Sequence, residues 1–203
     1  MNLPNLLTIA RCILAAFFVL CMSFDHVGCY TIAYLLFIVA SITDYYDGKI
    51  AREQNLVTNF GKLLDPVADK ILMVSAFIML MGVPDLFIPG WAVIAILARE
   101  FLITGARSLA ATEGAVIPAN MWGKAKTVLQ MTYVFVVMAL LLLWRFACLS
   151  PALFDRLPGS RENYATALQY ISLVGIILVA AYTISSGIQF FWANWKALKL
   201  HQI

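Results

Sequence analysis

Four aspartates recur at helical spacing in one short part of the chain. Asp44 and Asp47 are three residues apart, and Asp65 and Asp69 are four apart, so each pair falls on one face of a helix. Carboxylate oxygens are the ligands that hard divalent cations such as Mg²⁺ and Mn²⁺ prefer. Both histidines and all four cysteines lie elsewhere, so Zn²⁺ is not favoured. The spacing therefore predicts a site for hard divalent cations.

Small residues share the faces of these aspartates. Gly48 and Ala51 follow the first pair at helical spacing, and Gly61 precedes Asp65 by four residues. A face without bulky side chains lets a ligand approach the helix backbone. Pro66 disfavours helical geometry at the preceding residue, so either Gly61 precedes the regular helix or the helix is kinked.

Basic residues accompany the acidic ones, namely Arg52, Lys49, Lys62 and Lys70. Fixed positive charge would repel a permeating cation, which disfavours a simple ion channel. It suits an anion held jointly by metal and basic side chains, above all a phosphate or pyrophosphate. For Arg52 and the three lysines, the alternative is a charge that marks the cytoplasmic side of a membrane.

The surrounding sequence has the composition of a membrane protein. Hydrophobic residues make up 63% of the 203 residues, charged residues 12%, and mean hydropathy is +0.87. A soluble domain carries about twice that share of charge. Because a spanning helix needs about 20 mainly apolar residues, we predict an all-α fold, a polytopic membrane bundle. Its six transmembrane helices are predicted at about 5–24, 30–52, 61–82, 88–111, 121–146 and 165–193.

Six crossings put both termini on the same side of the membrane. Most lysines and arginines then lie on that side, and the opposite side has only Arg145, Arg156 and Arg161. The positive-inside rule makes the first side cytoplasmic. The aspartates are thus predicted at the cytoplasmic ends of the second and third helices. With no evident linker, residues 1–203 are predicted to form a single integral membrane domain.

The aspartate region reads D-x2-D-G-x2-A-R-x8-G-x3-D-x3-D, from Asp44 to Asp69. This pattern resembles the signature of the CDP-alcohol phosphotransferases, integral membrane enzymes of phospholipid synthesis. The resemblance covers nearly the whole chain and implies that family's fold of six transmembrane helices, a catalytic domain in the bacterial inner membrane and a homodimer.

The resemblance also implies roles for the residues of the pattern. Asp44, Asp47 and Asp65 would ligate two divalent cations, with Asp69 contributing to the second site and acting as the catalytic base. The residues at the CDP moiety would be Gly48, Ala51, Arg52 and Gly61. On the first helix, Asn5 and Thr8 form a polar stripe with Arg11, either for hydrogen bonds between helices or at the nucleotide.

Further segments resemble the family members that use sn-glycerol 3-phosphate, namely "LPNLLTIAR", "GKLLDPVADK", "ARE" and "WGKAKTVLQM". The implied reaction transfers the phosphatidyl group of CDP-diacylglycerol to that acceptor and releases CMP. The acceptor's phosphate requires basic residues, and we predict Arg107 and Lys124 first, then Lys126 and Arg99. An ion pair between Arg99 and Glu100, or an interfacial position for one lysine, is the alternative.

Other functions remain open at this stage. Within the family, the acceptor could be an inositol phosphate, serine or phosphatidylglycerol. In a different class, the aspartates could carry divalent cations across the membrane, but no comparable acidic faces continue toward the opposite side. A non-catalytic membrane scaffold would leave the acidic faces without a purpose. Membrane lipid is the predicted environment, and no nucleic-acid partner is expected.

Overall fold

A computed structural model describes the backbone of residues 3–54, 59–112, 117, 121–150 and 160–195. Side chains are described for residues 9–43, 70–112, 117, 121–123, 125–150 and 160–195. Every regular element in these ranges is an α-helix. The six helices are α1 (Leu3–Met22), α2 (Val27–Gln54), α3 (Asn59–Met81), α4 (Gly90–Thr112), α5 (Met121–Leu149) and α6 (Arg161–Ala193).

The predicted all-α fold with six long helices is confirmed, and the helix ends agree with the predicted ones within a few residues. The largest difference is at α6, which begins at Arg161 because Ser160 caps it, accepting a hydrogen bond from the Asn163 N–H. Gly61 lies inside α3, two residues after its start. The alternative in which Gly61 precedes the regular helix is therefore wrong.

The helices pack in two groups that share one apolar core. Helix α1 contacts α2 and α3, α6 contacts α4 and α5, and the groups meet where α2 packs on α5 and α3 on α4. Aromatic rings join the groups. The centre of the Phe37 ring of α2 lies 6.0 Å from that of Phe18 of α1 and 5.0 Å from that of Phe135 of α5. This packing fixes the relative positions of helices whose polar residues are far apart in the sequence.

The outer surface of the bundle is apolar. Large hydrophobic side chains such as Ile94, Leu143 and Ile188 are each about two-thirds exposed, which is unfavourable in water and favourable in lipid. By length and hydropathy, α5 and α6 are sufficient to cross a membrane. Helix α4 carries three charged residues, Arg99, Glu100 and Arg107. Inside the bundle, these charges need ion-pair or hydrogen-bond partners.

Charged residues at the end of the bundle opposite the aspartates form one ion cluster, the Arg145 cluster (Asp25, Tyr30, Asp85 and Arg145). Arg145 of α5 pairs with Asp25 at 2.7 Å and with Asp85 at 2.5 Å. Its guanidinium lies 5.3 Å from the centre of the Tyr30 ring, and the Tyr30 hydroxyl donates to Asp25. The cluster thus binds two loops to α5, the loop between α1 and α2 and the loop between α3 and α4.

We expect Asp85→Asn to lower the midpoint of thermal unfolding more than Asp25→Asn does. Both substitutions remove one carboxylate from the same arginine, but the Asp85 side chain is 26% exposed and that of Asp25 is 60% exposed. The less exposed pair is less screened, and its loss should cost on the order of 1–2 kcal/mol. Thermal unfolding in detergent measures both variants, and an equal or reversed order would contradict the prediction.

Candidate active site

The four predicted metal ligands lie on two neighbouring helices. Asp44 and Asp47 are in the second half of α2, and Asp65 and Asp69 are in the first half of α3. Because α2 and α3 run in opposite directions and contact each other, the two pairs are at the same end of the bundle. The side chains of residues 44–69, including those of Gly48, Ala51, Arg52 and Gly61, lie outside the described ones.

The donor chemistry of this region fits divalent cations. The backbone is helical at Asp44–Asp47 and Asp65–Asp69, and aspartate supplies only oxygen donors. Among the side chains that the structure describes, no three His, Cys, Asp or Glu gather at one point. The four aspartates are not among those side chains, so their role as ligands stays a prediction.

Helix α1 contacts both aspartate-bearing helices. Its residues Asn5 and Thr8 lie on helical backbone, but their side chains are outside the described ones. Arg11, one turn further along, is 4% exposed. A buried cation in an apolar bundle requires polar or anionic partners. The polar stripe of α1 therefore faces the interior of the bundle at Arg11.

A second polar region, the α4–α6 polar cluster, lies among α3, α4, α5 and α6. Its centre is Glu100 of α4, whose Oε1 accepts an ion pair from Lys126 of α5 and one from Arg99 at 3.4 Å. Gln130 of α5 lies 3.5 Å from the same oxygen. The members are Lys70, Arg99, Glu100, Thr104, Lys126, Gln130, Thr183 and Ser186.

The hydroxyls of α6 complete this cluster on one side. Arg99 Nη2 donates to Ser186 Oγ at 2.5 Å, and Gln130 Nε2 donates to Thr183 Oγ1 at 3.3 Å. Thr183 and Ser186 are essentially buried. Arg99 and Glu100 form the ion pair that was the alternative to a ligand role for Arg99, and hydrogen bonds to α6 accompany it.

On its other side, the cluster reaches the helix of Asp65 and Asp69. The Lys70 ammonium donates to Thr104 Oγ1, which in turn donates to the Glu100 backbone carbonyl at 2.8 Å. Lys70 directly follows Asp69 in the sequence. The polar contacts therefore connect α3, at the residue next to the predicted base, with the basic residues of α4 and α5.

Arg107 lies two turns after Arg99 on α4, with its guanidinium 5.3 Å from the centre of the Phe190 ring of α6. Its Nε is buried and has no hydrogen-bond partner among the described residues, and the same holds for Arg99 Nε. Buried donors without partners are unusual. Lys124 lies on the first turn of α5, and its side chain is outside the described ones.

The structure brings Arg99 and Lys126 together with three polar residues that the sequence analysis did not select, Gln130, Thr183 and Ser186. A signal for them existed. Gln130 is four residues after Lys126, and Thr183 and Ser186 are three apart, spacings that put polar groups on one helix face. Their facing partners on other helices could not be read from spacing alone.

Comparisons with known proteins agree with these features. The family model described as CDP-alcohol phosphatidyltransferase matches residues 1–178. A Bacillus subtilis (strain 168) protein named CDP-diacylglycerol–glycerol-3-phosphate 3-phosphatidyltransferase is 40% identical over 98% of this chain and 97% of its own length. A Rickettsia bellii protein of the same name is 39% identical over 96% of each chain. A Mycobacterium tuberculosis protein named probable phosphatidylglycerophosphate synthase is 40% identical over 64% of this chain and 62% of its own.

An all-α bundle with an apolar surface and charged residues gathered inside it is the architecture of an integral membrane protein. The match over most of the length gives the particular family. This chain belongs to the CDP-alcohol phosphatidyltransferases, membrane transferases of phospholipid synthesis, and the resemblance seen in the aspartate pattern is confirmed.

Alanine substitutions at two helical glycines would show how tightly the α4–α6 polar cluster is packed. A Cβ added at Gly187 of α6 would lie 3.0 Å from Arg99 Cγ, whereas one added at Gly105 of α4 would meet nothing within 4 Å. We expect Gly105→Ala to stabilise the protein by roughly 0.5–1 kcal/mol, the usual gain in helix propensity. Gly187→Ala should show no such gain, because Arg99 would have to move away from Ser186 and Glu100.

Thermal unfolding of the two alanine variants in the same detergent measures this difference. A higher midpoint for Gly105→Ala together with an unchanged or lower midpoint for Gly187→Ala is the expected result. If Gly187→Ala gained as much as Gly105→Ala, the Arg99 side chain would not be held against α6.

Proposed function

We propose that this chain transfers the phosphatidyl group of CDP-diacylglycerol to sn-glycerol 3-phosphate, giving phosphatidylglycerophosphate and CMP. The observation that carries this proposal is the α4–α6 polar cluster, a set of buried cations connected to α3 at Lys70. An acceptor that itself bears a phosphate would find cationic partners there, next to the helix of the predicted base. The names of the relatives support the same reaction.

The charge of the cluster supports a phosphate-bearing acceptor. Arg99 and Lys126 share one carboxylate, that of Glu100, and no described carboxylate pairs with Arg107. A positive excess inside an apolar bundle is costly unless an anion is bound. We infer that Arg107, Lys124, Lys126 and Arg99 bind the acceptor phosphate, and serine has no phosphate for them to bind.

Two divalent cations, Mg²⁺ or Mn²⁺, would be held by Asp44, Asp47, Asp65 and Asp69. When bound, such ions neutralise charge on a pyrophosphate and on its leaving phosphate. Arg52 is proposed to contact the CDP phosphates. Small residues on the same helix faces would let the nucleotide lie against the backbone, and these are Gly48, Ala51 and Gly61.

Asp69 is the proposed general base. Its carboxylate would take the proton from the primary hydroxyl of glycerol 3-phosphate while that oxygen attacks the lipid-side phosphorus. The new bond joins the acceptor oxygen to phosphorus, and the bond from that phosphorus to the CMP oxygen breaks. A single direct displacement suffices, and CMP leaves with the electron pair of the broken bond.

We further propose that residues 1–203 form one catalytic domain in the bacterial inner membrane, with both termini and the aspartates on the cytoplasmic side. The positive-inside rule supports this orientation, and a cytoplasmic site would meet soluble glycerol 3-phosphate. A homodimer is proposed from the family resemblance.

A divalent-cation transporter is the contrasting function. It would need acidic groups that continue toward the opposite face of the membrane. Asp25 and Asp85 lie at that end of the bundle, but both pair with Arg145. Arginine at this position opposes a cation path, so the transferase is favoured.

The reaction is tested with purified protein in detergent or lipid vesicles, given CDP-diacylglycerol, Mg²⁺ and one acceptor at a time. We expect CMP release with glycerol 3-phosphate and its loss when a chelator removes Mg²⁺. Release with an inositol phosphate, serine or phosphatidylglycerol instead would change the acceptor but keep the reaction class. Absence of Mg²⁺-dependent CMP release with every acceptor would refute the transferase.

Asp69→Asn should remove a base while preserving the size of the side chain. We expect turnover to fall by roughly 10²–10⁴-fold, the usual contribution of a positioned base, while binding of CDP-diacylglycerol is largely retained. Steady-state CMP release and equilibrium binding of a CDP analogue measure the two effects. Turnover near that of the parent protein would show that Asp69 is not the base.

A further inference from the structure

Glu100 has no role in the reaction as proposed, yet it is the anionic centre of the α4–α6 polar cluster. Its Oε1 receives Lys126 and Gln130 from α5 and the guanidinium of its neighbour Arg99. Its backbone carbonyl receives Thr104 Oγ1, the group that binds Lys70. One residue thus connects the basic side chains of α3, α4 and α5.

The cations around Glu100 are largely removed from solvent. The side chains of Arg99, Lys126 and Glu100 are 9%, 10% and 16% exposed. In such surroundings an ammonium group on a flexible stem is held where its anionic partner lies. The position of Lys126 is therefore set by the Glu100 carboxylate, and that of Arg99 by Glu100 and Ser186 together.

These contacts leave donors unused. A lysine ammonium has three N–H donors and an arginine guanidinium has five. Arg99 Nε packs against Gly187, but Arg99 Nη1, Arg99 Nη2 and Lys126 Nζ each make only one hydrogen bond among the described residues. Arg99 and Lys126 share the single carboxylate of Glu100, so one positive charge is not neutralised by it. The cluster is thus arranged to accept one more anion without releasing Glu100.

We propose that Glu100 is a positioning residue of the acceptor site, which holds Lys126 and Arg99 so that their remaining donors bind the acceptor's phosphate. This inference rests on the proposed function, in which those two cations bind glycerol 3-phosphate. Glu100 itself does not touch the substrate. It keeps the cations paired in the empty site, where they would otherwise repel each other.

The test compares Glu100→Gln with Asp85→Asn, since both replace the carboxylate of an ion pair by an amide of the same shape. CMP release is measured first with varied glycerol 3-phosphate at saturating CDP-diacylglycerol. It is then measured with varied CDP-diacylglycerol at saturating glycerol 3-phosphate. For Glu100→Gln we expect KM for glycerol 3-phosphate to rise roughly tenfold, the effect of one charge-assisted hydrogen bond, with KM for CDP-diacylglycerol nearly unchanged. For Asp85→Asn we expect lower thermal stability and both KM values unchanged.

Glu100→Asp keeps the charge but withdraws it by one methylene, and it serves if the amide variant fails to fold. Its KM for glycerol 3-phosphate should lie between those of the parent protein and Glu100→Gln. Parent-like KM in Glu100→Asp would overturn the positioning role. So would equal increases in both KM values, or a fall in kcat alone, in Glu100→Gln.

The parent protein separates this inference from the proposed function. If the parent releases no CMP with glycerol 3-phosphate, the proposed function itself fails. If the parent is active and the Glu100 variants keep its KM for that acceptor, only the positioning role fails.

Discussion

The cost of placing charge inside an apolar bundle governs this structure. A charged side chain at the centre of a bilayer costs about 2.5–3.5 kcal/mol on insertion scales. Most of the described charges therefore gather into two groups, and each group joins residues of different helices or helix connections. Glu100 with Lys126 is the least exposed ion pair between two helices, and it joins α4 to α5, which both pack mainly on α6.

The two polar clusters meet that cost in different ways. At one end, Arg145 has two carboxylate partners that come from helix connections, where water is close and excess negative charge is tolerated. Inside the bundle, Glu100 has two cationic partners, and the excess has the opposite sign. The ion pairs at the exposed end contribute to stability, but an excess cation in the interior is an arrangement suited to an anionic ligand.

The sequence predicted the helices well because membrane helices follow from local properties. Apolar length and breaks rich in Gly and Pro determine where each helix begins and ends, and all six agreed with the structure. Pro66 was the exception. Local rules allowed a late start for α3, whereas the helix begins at Asn59 and continues through Pro66. A proline in a helix is tolerated when neighbouring helices stabilise the segment, and α1 packs on α3 here.

The site was predictable only within single helices. Spacing put the aspartates on helix faces and joined Arg99 to Arg107, because residues of one helix have a fixed geometry. It could not show that Lys126 of α5 and Ser186 of α6 meet the residues of α4. Those contacts depend on how α4 and α5 pack on α6, which is set by apolar packing distributed over many positions.

Gly187 shows how packing and chemistry are joined at one position. Because Gly187 has no side chain, Arg99 can lie against the backbone of α6. A Cβ added at Gly187 would be only 3.0 Å from Arg99 Cγ. Because the stem of Arg99 is confined there, its guanidinium reaches Ser186 and Glu100 together. A larger residue would move the cation and so disturb the carboxylate that Lys126 shares. The position of the cations proposed to bind the acceptor thus depends on a glycine that carries no charge, which is why neither charge nor hydropathy in the sequence indicated it.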